Sequence, residues 1–205
     1  MTYTFSFPFA LICAMIGYLI GNIQTALLVS RLKFKQDIRD YGSHNPGTTN
    51  MLRVYGLAPG TLTFIGDFLK AVIAVLLGRA FMDKLGGYIA GLFVIIGHCY
   101  PALNKFKGGK GVASALGFAW MVFPLAGALV SVAAIVLFII WKRISVCSLL
   151  GTTLFVLLVL LTRSSDKALV IVTLLIYVII IIRHWDNIGR IFRGEEKPLK
   201  IHSKK

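Results

Sequence analysis

Charged residues make up only 15% of this 205-residue chain, and acidic ones are the scarcer, 8 Asp and Glu against 22 Lys and Arg. A soluble domain of this size carries about a quarter charged residues, so a water-facing globule is a poor description. The three cysteines, Cys13, Cys99 and Cys147, lie far apart in or beside apolar stretches. Without a CxxC pair or metal-type spacing they read as packing residues, and neither a disulfide framework nor a metal centre is expected. The N-terminal run 5–20 has no basic segment before it and no small-residue cleavage site after it. It reads as a retained first span rather than a secretory signal. No Walker A loop is present either. In the stretch 104–111 an Asn stands where the first Gly would be, and Gly111 replaces the Ser or Thr that would hold magnesium.

What is abundant is apolar: 57% of residues are hydrophobic and the mean hydropathy is +0.81. Long runs with few charges, at 130–141, 154–161 and 168–182, have the form of membrane spans. Apolar segments lie near 5–29, 58–80, 87–103, 112–141, 146–162 and 168–183. The fourth is long for one crossing of about twenty residues. Phe123-Pro124 in its middle makes it either one kinked helix or two short ones. The basic residues favour two. With seven spans and the N-terminus outside, seventeen Lys and Arg fall on the inner side, four fall outside, and Lys70 lies within a span. The fold class expected is therefore all-α: a polytopic membrane protein of about seven short transmembrane helices with a cytoplasmic C-terminus. Residues 1–193 form one transmembrane domain, and 194–205 read as a basic, disordered tail. The net charge of +14 fits positive-inside loops and anionic ligands better than nucleic acid, because the basic residues sit between apolar runs.

In that topology three polar stretches share the cytoplasmic side. The first, Gly42-Ser43-His44-Asn45-Pro46-Gly47-Thr48-Thr49-Asn50 with Arg53, combines backbone freedom with hydroxyl and amide donors. It can cradle an anion or be an ordinary polar turn. The second, Phe106-Lys107-Gly108-Gly109-Lys110-Gly111, precedes an apolar helix. Free N–H groups beside two lysines suit a phosphate, and a flexible positive-inside loop is the plainer reading. The third is Arg183-His184-Trp185-Asp186-Asn187. There His184 can serve as a general base, as an oxyanion donor or as a structural residue, and Arg183 and Trp185 equally suit interfacial anchors. Asp67 and Lys70, three apart, can neutralise each other on one helix face as structural support. Ser145 and Ser148, beside Lys142 and Arg143, can contact a phosphate or cap a helix.

Taken together these stretches resemble the acyl-phosphate:glycerol-3-phosphate acyltransferases, bacterial membrane enzymes that make lysophosphatidic acid. The resemblance is carried by Gly42-Ser43 with Asn45, Gly47, Thr49, Asn50 and Arg53; by Asp67-Phe68-Leu69-Lys70; by Gly97-His98 with Tyr100-Pro101; by 106–113; and by Arg183-His184 with Asn187. Order and spacing agree over nearly the whole chain. The chain departs from the family pattern at Asn22 and Gln24, at His44, where a glycine is usual, and at Thr48, where an alanine is usual.

The resemblance implies seven short spans in the bacterial cytoplasmic membrane and an active site open to the cytoplasm. It also implies acyl phosphate as donor, no metal and no cofactor. The HxxxxD motif of other glycerolipid acyltransferases is absent after His44, His98 and His184. Carried over residue by residue, the catalytic set is Ser43, His184 and Asn187. The substrate-binding set is Asn45, Arg53, Lys107, Gly108, Gly109, Lys110, Gly111 and Ser145. Partners would be glycerol 3-phosphate, acyl phosphate and membrane lipid. The competing class is a small anion transporter. Against it, the spans show no repeat, and the polar residues gather at one face rather than at mid-membrane.

Overall fold

The computed structural model describes residues 5–201, and all regular secondary structure among them is helical. Helix α1 (Phe7–Gly21) carries Pro8 in its first turn, where a missing N–H costs no hydrogen bond. After a break at Asn22–Gln24 comes α2 (Thr25–Phe34), then α3 (Thr48–Tyr55) and α4 (Leu57–Cys99). The last of these is two helices in one run. Met82 and Asp83 leave the helical region, and Asp83 takes φ +46, so limbs 57–81 and 84–99 fold back on each other. Helices α5 (Val112–Val122), α6 (Pro124–Trp141), α7 (Ile144–Thr162), α8 (Lys167–Arg183) and α9 (Trp185–Phe192) complete the chain. The long apolar segment 112–141 is thus two helices, divided at Phe123 with Pro124 opening the second.

Among the described residues four helical stretches are long and apolar enough to cross a membrane, or five if α8 and α9, bent by 62° at His184, are one broken span. The stretch 57–104 counts once in that number although it doubles back at 82–83. Helix α5 has 11 residues, about 16 Å of helix against a hydrocarbon core of about 30 Å.

Small residues bring the helices together. A Cβ on Gly17 would stand 2.3 Å from the Ala90 carbonyl oxygen, one on Gly21 2.4 Å from that of Val94, and one on Gly97 2.3 Å from that of Tyr18. This register runs α1 parallel to the 84–99 limb at backbone contact, where packing takes the place of a hydrophobic driving force. Gly78 and Gly86 meet in the same way across the hairpin. Phe118, Val94, Ile95, Val159, Leu169 and Ile180 fill the centre of the main core. A smaller cluster of Ala26, Leu27, Val29, Ile38 and Met51 seats the 38–51 loop on α2. Outward positions such as Leu19, Leu76, Ile139, Leu161 and Ile171 are exposed, as side chains that face lipid would be. Residues 194–201, read from sequence as a free tail, make contacts: Leu199 N–H donates to the Lys142 carbonyl (2.7 Å) and Arg143 Nε to that of Glu196 (2.8 Å). The rest of that tail, 202–205, lies outside the described residues.

Candidate active site

The site grows from the loop between α2 and α3. Asn50 is fully buried and acts as its keystone. Its Nδ2 donates to the Ile38 and Tyr41 carbonyls (3.2 and 2.9 Å), and its Oδ1 accepts the Ser43 N–H (2.8 Å). A Cβ on Gly42 would stand 2.2 Å from that Oδ1, on a backbone with φ +63, so only glycine fits here. His44 also lies in the left-handed region, at φ +58. Glycine would take that conformation without strain, and His44 takes it with a side chain. The chain holds the imidazole there by a 2.9 Å contact between Nδ1 and the Arg39 carbonyl. Arg39 and Arg31 both bind Asp37 (2.8 and 2.7 Å). The Arg39 hydrogen bond above all holds that carboxyl well below the usual range.

The Gly108-Gly109 turn is clamped from two sides. Gly109 N–H donates to the His98 carbonyl (3.1 Å), while Arg183 donates to the carbonyls of Gly109 (3.0 Å) and Gly108 (2.8 Å). The first N–H groups of α5 follow directly after this turn and have no intrahelical partner. The Arg183 guanidinium also rests on the Tyr100 ring, 5.3 Å from its centroid. Arg183 is thus a clamp on the loop rather than a simple interfacial anchor.

Beneath the turn is a closed ionic cluster. Lys70 Nζ lies 2.7 Å from Asp67 and donates to the Ile23 carbonyl (2.7 Å) and to His98 Nδ1 (2.7 Å). Asp67 also accepts from Thr25 (3.0 Å). The pair Asp67–Lys70 therefore supports the joint between α1, α2 and α4, as its spacing implied.

These parts surround one cavity of about 1810 Å³. Ser43, Asn45, Arg53, Lys107, Gly108, Lys110, Gly111, Ser145, His184 and Asn187 all line it. Gly109 does not; a Cβ there would stand 2.2 Å from His98 Nε2, so its part is to let the turn close. Lys110 donates to Asn187 Oδ1. Burial, and then the Arg190 and Arg183 charges, push the Lys110 ammonium down to about 8, with Glu196 opposing them. His184 is buried and its Nδ1 bonds the Ile180 carbonyl (2.9 Å), which leaves Nε2 with the free lone pair. Arg53 Nη1 and Thr48 Oγ1 are buried without a partner, as donors awaiting an anion would be. Ser148 lines the cavity as well, with its hydroxyl bonded back to the Ile144 carbonyl (2.8 Å). No group of three or more His, Cys, Asp or Glu fit for a metal ion occurs among the described residues.

Sequence reasoning missed Arg190 and Glu196, which line the same cavity and pair at 2.7 Å. The signal available was the strong two-sidedness of 185–192, which sets Asn187 and Arg190 three apart on one face. Nothing local marked Glu196.

A bundle of apolar helices that opens at one end on a cavity of lysine, arginine, histidine and amide groups defines a membrane protein that handles anionic substrates. The family model described as glycerol-3-phosphate acyltransferase matches residues 11–194. The chain is 36% identical over 194 residues to the glycerol-3-phosphate acyltransferase of Finegoldia magna, covering 95% of this chain and 98% of that one. It is 39% identical over 191 residues to that of Thermoanaerobacter pseudethanolicus, covering 93% and 96%. The crystal structure of PlsY (YgiH), an integral membrane glycerol 3-phosphate acyltransferase, in its glycerol 3-phosphate form aligns with a TM-score of 0.87. The identity is 32%, with 93% of this chain and 96% of that one covered. Its lysophosphatidic acid form aligns with a TM-score of 0.84 at 31% identity, covering 92% and 94%. The chain belongs to the glycerol-3-phosphate acyltransferase family. The transporter alternative gains nothing from these matches.

Proposed function

We propose that this protein transfers the acyl group of an acyl phosphate to a hydroxyl of glycerol 3-phosphate, releasing lysophosphatidic acid and inorganic phosphate at the cytoplasmic face of the bacterial inner membrane. The carrying observation is the convergence of Arg53, Lys110, His184 and Asn187 on one cavity that also holds the unpartnered Arg53 Nη1 and Thr48 Oγ1. Acyl phosphate is a mixed anhydride, already activated, so the protein has mainly to hold two anions in attacking geometry and stabilise developing charge. Arg53, Lys107 and Lys110, with N–H groups at the start of α5, neutralise the phosphates. The acyl chain lies along the apolar part of the same cavity, among Phe118, Val130, Phe138 and Phe155.

The attacking hydroxyl oxygen bonds to the carbonyl carbon, and the bond from that carbon to the phosphate oxygen breaks. The displaced proton passes either to His184 Nε2 or to the departing phosphate. A His184→Ala variant that folds separates the two routes, since undiminished turnover assigns the proton to phosphate. Seven crossings follow if the limbs 57–81 and 84–99 and the short α5 each count as one. The basic residues then put the cavity, and the C-terminal segment, on the cytoplasmic side.

The test is product formation by purified protein in detergent, given palmitoyl phosphate and glycerol 3-phosphate without added metal. Lysophosphatidate and equimolar phosphate are expected, and none with palmitoyl-CoA. Product from the thioester instead, or no product from folded protein, would overturn the donor assignment or the whole reading respectively.

A further inference from the structure

Glu196 stands beyond the last helix, outside every stretch that the sequence assigned to the site, yet its carboxylate lies among the site's polar side chains. One oxygen accepts from Ser145 Oγ and from Asn187 Nδ2 (2.7 Å); the other accepts from Arg190 Nε (2.7 Å). The side chain is only 11% exposed. Its backbone is held by the Arg143 contact to its own carbonyl and by the Leu199 contact to Lys142. The segment is therefore placed, and Glu196 joins the start of α7 to α9.

These contacts have a consequence for hydrogen-bond direction. A serine hydroxyl has one proton and two lone pairs. With its proton given to Glu196, Ser145 can offer a ligand only acceptance. Asn187 is turned in the same way: its amide nitrogen faces Glu196, so its carbonyl oxygen faces Lys110. Lys110 then keeps two of its three N–H bonds for a phosphate. A carboxylate so near an anion site would by itself repel substrate, and the Arg190 guanidinium offsets that charge.

We infer that Glu196 is a positioning residue that sets the donor and acceptor sense of the glycerol 3-phosphate subsite, making Ser145 an acceptor for a substrate hydroxyl and Asn187 the brace of Lys110. The inference rests on the acyltransferase reading above. It implies selectivity for a phosphorylated polyol over the corresponding ketone. Dihydroxyacetone phosphate, whose central carbonyl can only accept, would meet a second acceptor at Ser145. Without Glu196 the hydroxyl is free to turn and donate to that carbonyl.

The experiment compares wild type, Glu196→Ala and Glu196→Gln in the palmitoyl phosphate assay, with elution volume and melting temperature in detergent as folding controls. For Glu196→Ala the KM for glycerol 3-phosphate should rise about tenfold or more, the worth of charge-assisted hydrogen bonds, with the KM for palmitoyl phosphate within about twofold. The ratio of the inhibition constant of dihydroxyacetone phosphate to the KM for glycerol 3-phosphate should fall. Glu196→Gln, which keeps an acceptor oxygen, should lie between the two. A merely structural role would move both substrates alike and leave the ratio unchanged, and that result overturns the inference. So does a lower KM or faster turnover in Glu196→Ala, which would make the carboxylate a plug competing with phosphate. An inactive wild type removes the acyltransferase reading and this inference together, whereas an active wild type with unaltered variants removes the inference alone.

Discussion

Two polar clusters border the cavity, and they differ in whether their hydrogen bonds close. Asp67, Lys70 and His98 are all buried, and the Lys70 ammonium is consumed by Asp67, the Ile23 carbonyl and the His98 ring. Across the cavity, Lys110 has Asn187 as its hydrogen-bonding side-chain partner, and Arg53 Nη1 and Thr48 Oγ1 have none. Buried charge is costly in both places. In the first, neighbouring protein groups meet that cost and the result is a joint between helices. In the second, the valences stay open, and under the proposed function an anionic substrate completes them. Residue type alone would not separate the two lysines; the count of their partners does.

The sharpest way to break this comparison is to open the closed cluster. Lys70→Met keeps the stem but leaves Asp67 buried without its cation, and we expect about 3–5 kcal/mol of lost stability, read as a lower midpoint in detergent unfolding. If the midpoint stays while activity vanishes, Lys70 belongs with the substrate-binding cluster instead. Lys110→Ala should do the reverse. It should lower kcat/KM by about 10²–10³, the scale for losing one charge-stabilising donor, with the melting temperature nearly unchanged.

A smaller effect comes from pH. The Lys110 ammonium, pushed down to about 8, carries its charge below that pH and loses it as pH rises through it. The substrate phosphate is already dianionic above about pH 6. The KM for glycerol 3-phosphate should therefore rise about tenfold between pH 7 and 9 in steady-state assays. In Lys110→Arg, whose guanidinium stays charged, the curve should be flat. The smallest change expected is in Thr48→Ala. Losing one unpartnered donor should raise a substrate KM no more than about tenfold. A lowered KM would mean that the hydroxyl is an unsatisfied burden rather than a ligand.

Much of this was legible in the chain. Hydropathy marked the apolar segments, because helices that face lipid carry long runs of apolar side chains with few charges. Pro124 marked the division of 112–141, since a proline sits comfortably only in a helix's first turn. The glycine-rich loops and Asn187 stood out as polar, flexible residues between apolar runs. The gap between the apolar segments 58–80 and 87–103 marked the hairpin that turns at Met82–Asp83, and the close approach of Gly78 and Gly86 holds it.

Class, helical architecture and the polar loops thus followed from the sequence alone, because burial in lipid and backbone hydrogen bonding act on local composition. Tertiary structure alone decided which polar groups are spent and which are open. It made Arg183 a clamp on Gly108 and Gly109, and it packed Gly109 against His98, where a Cβ would stand 2.2 Å from Nε2. It also carried Glu196 from the tail to Ser145, Asn187 and Arg190. A hydrogen bond depends on where its second atom lies, and for these residues that atom is up to 75 positions away along the chain.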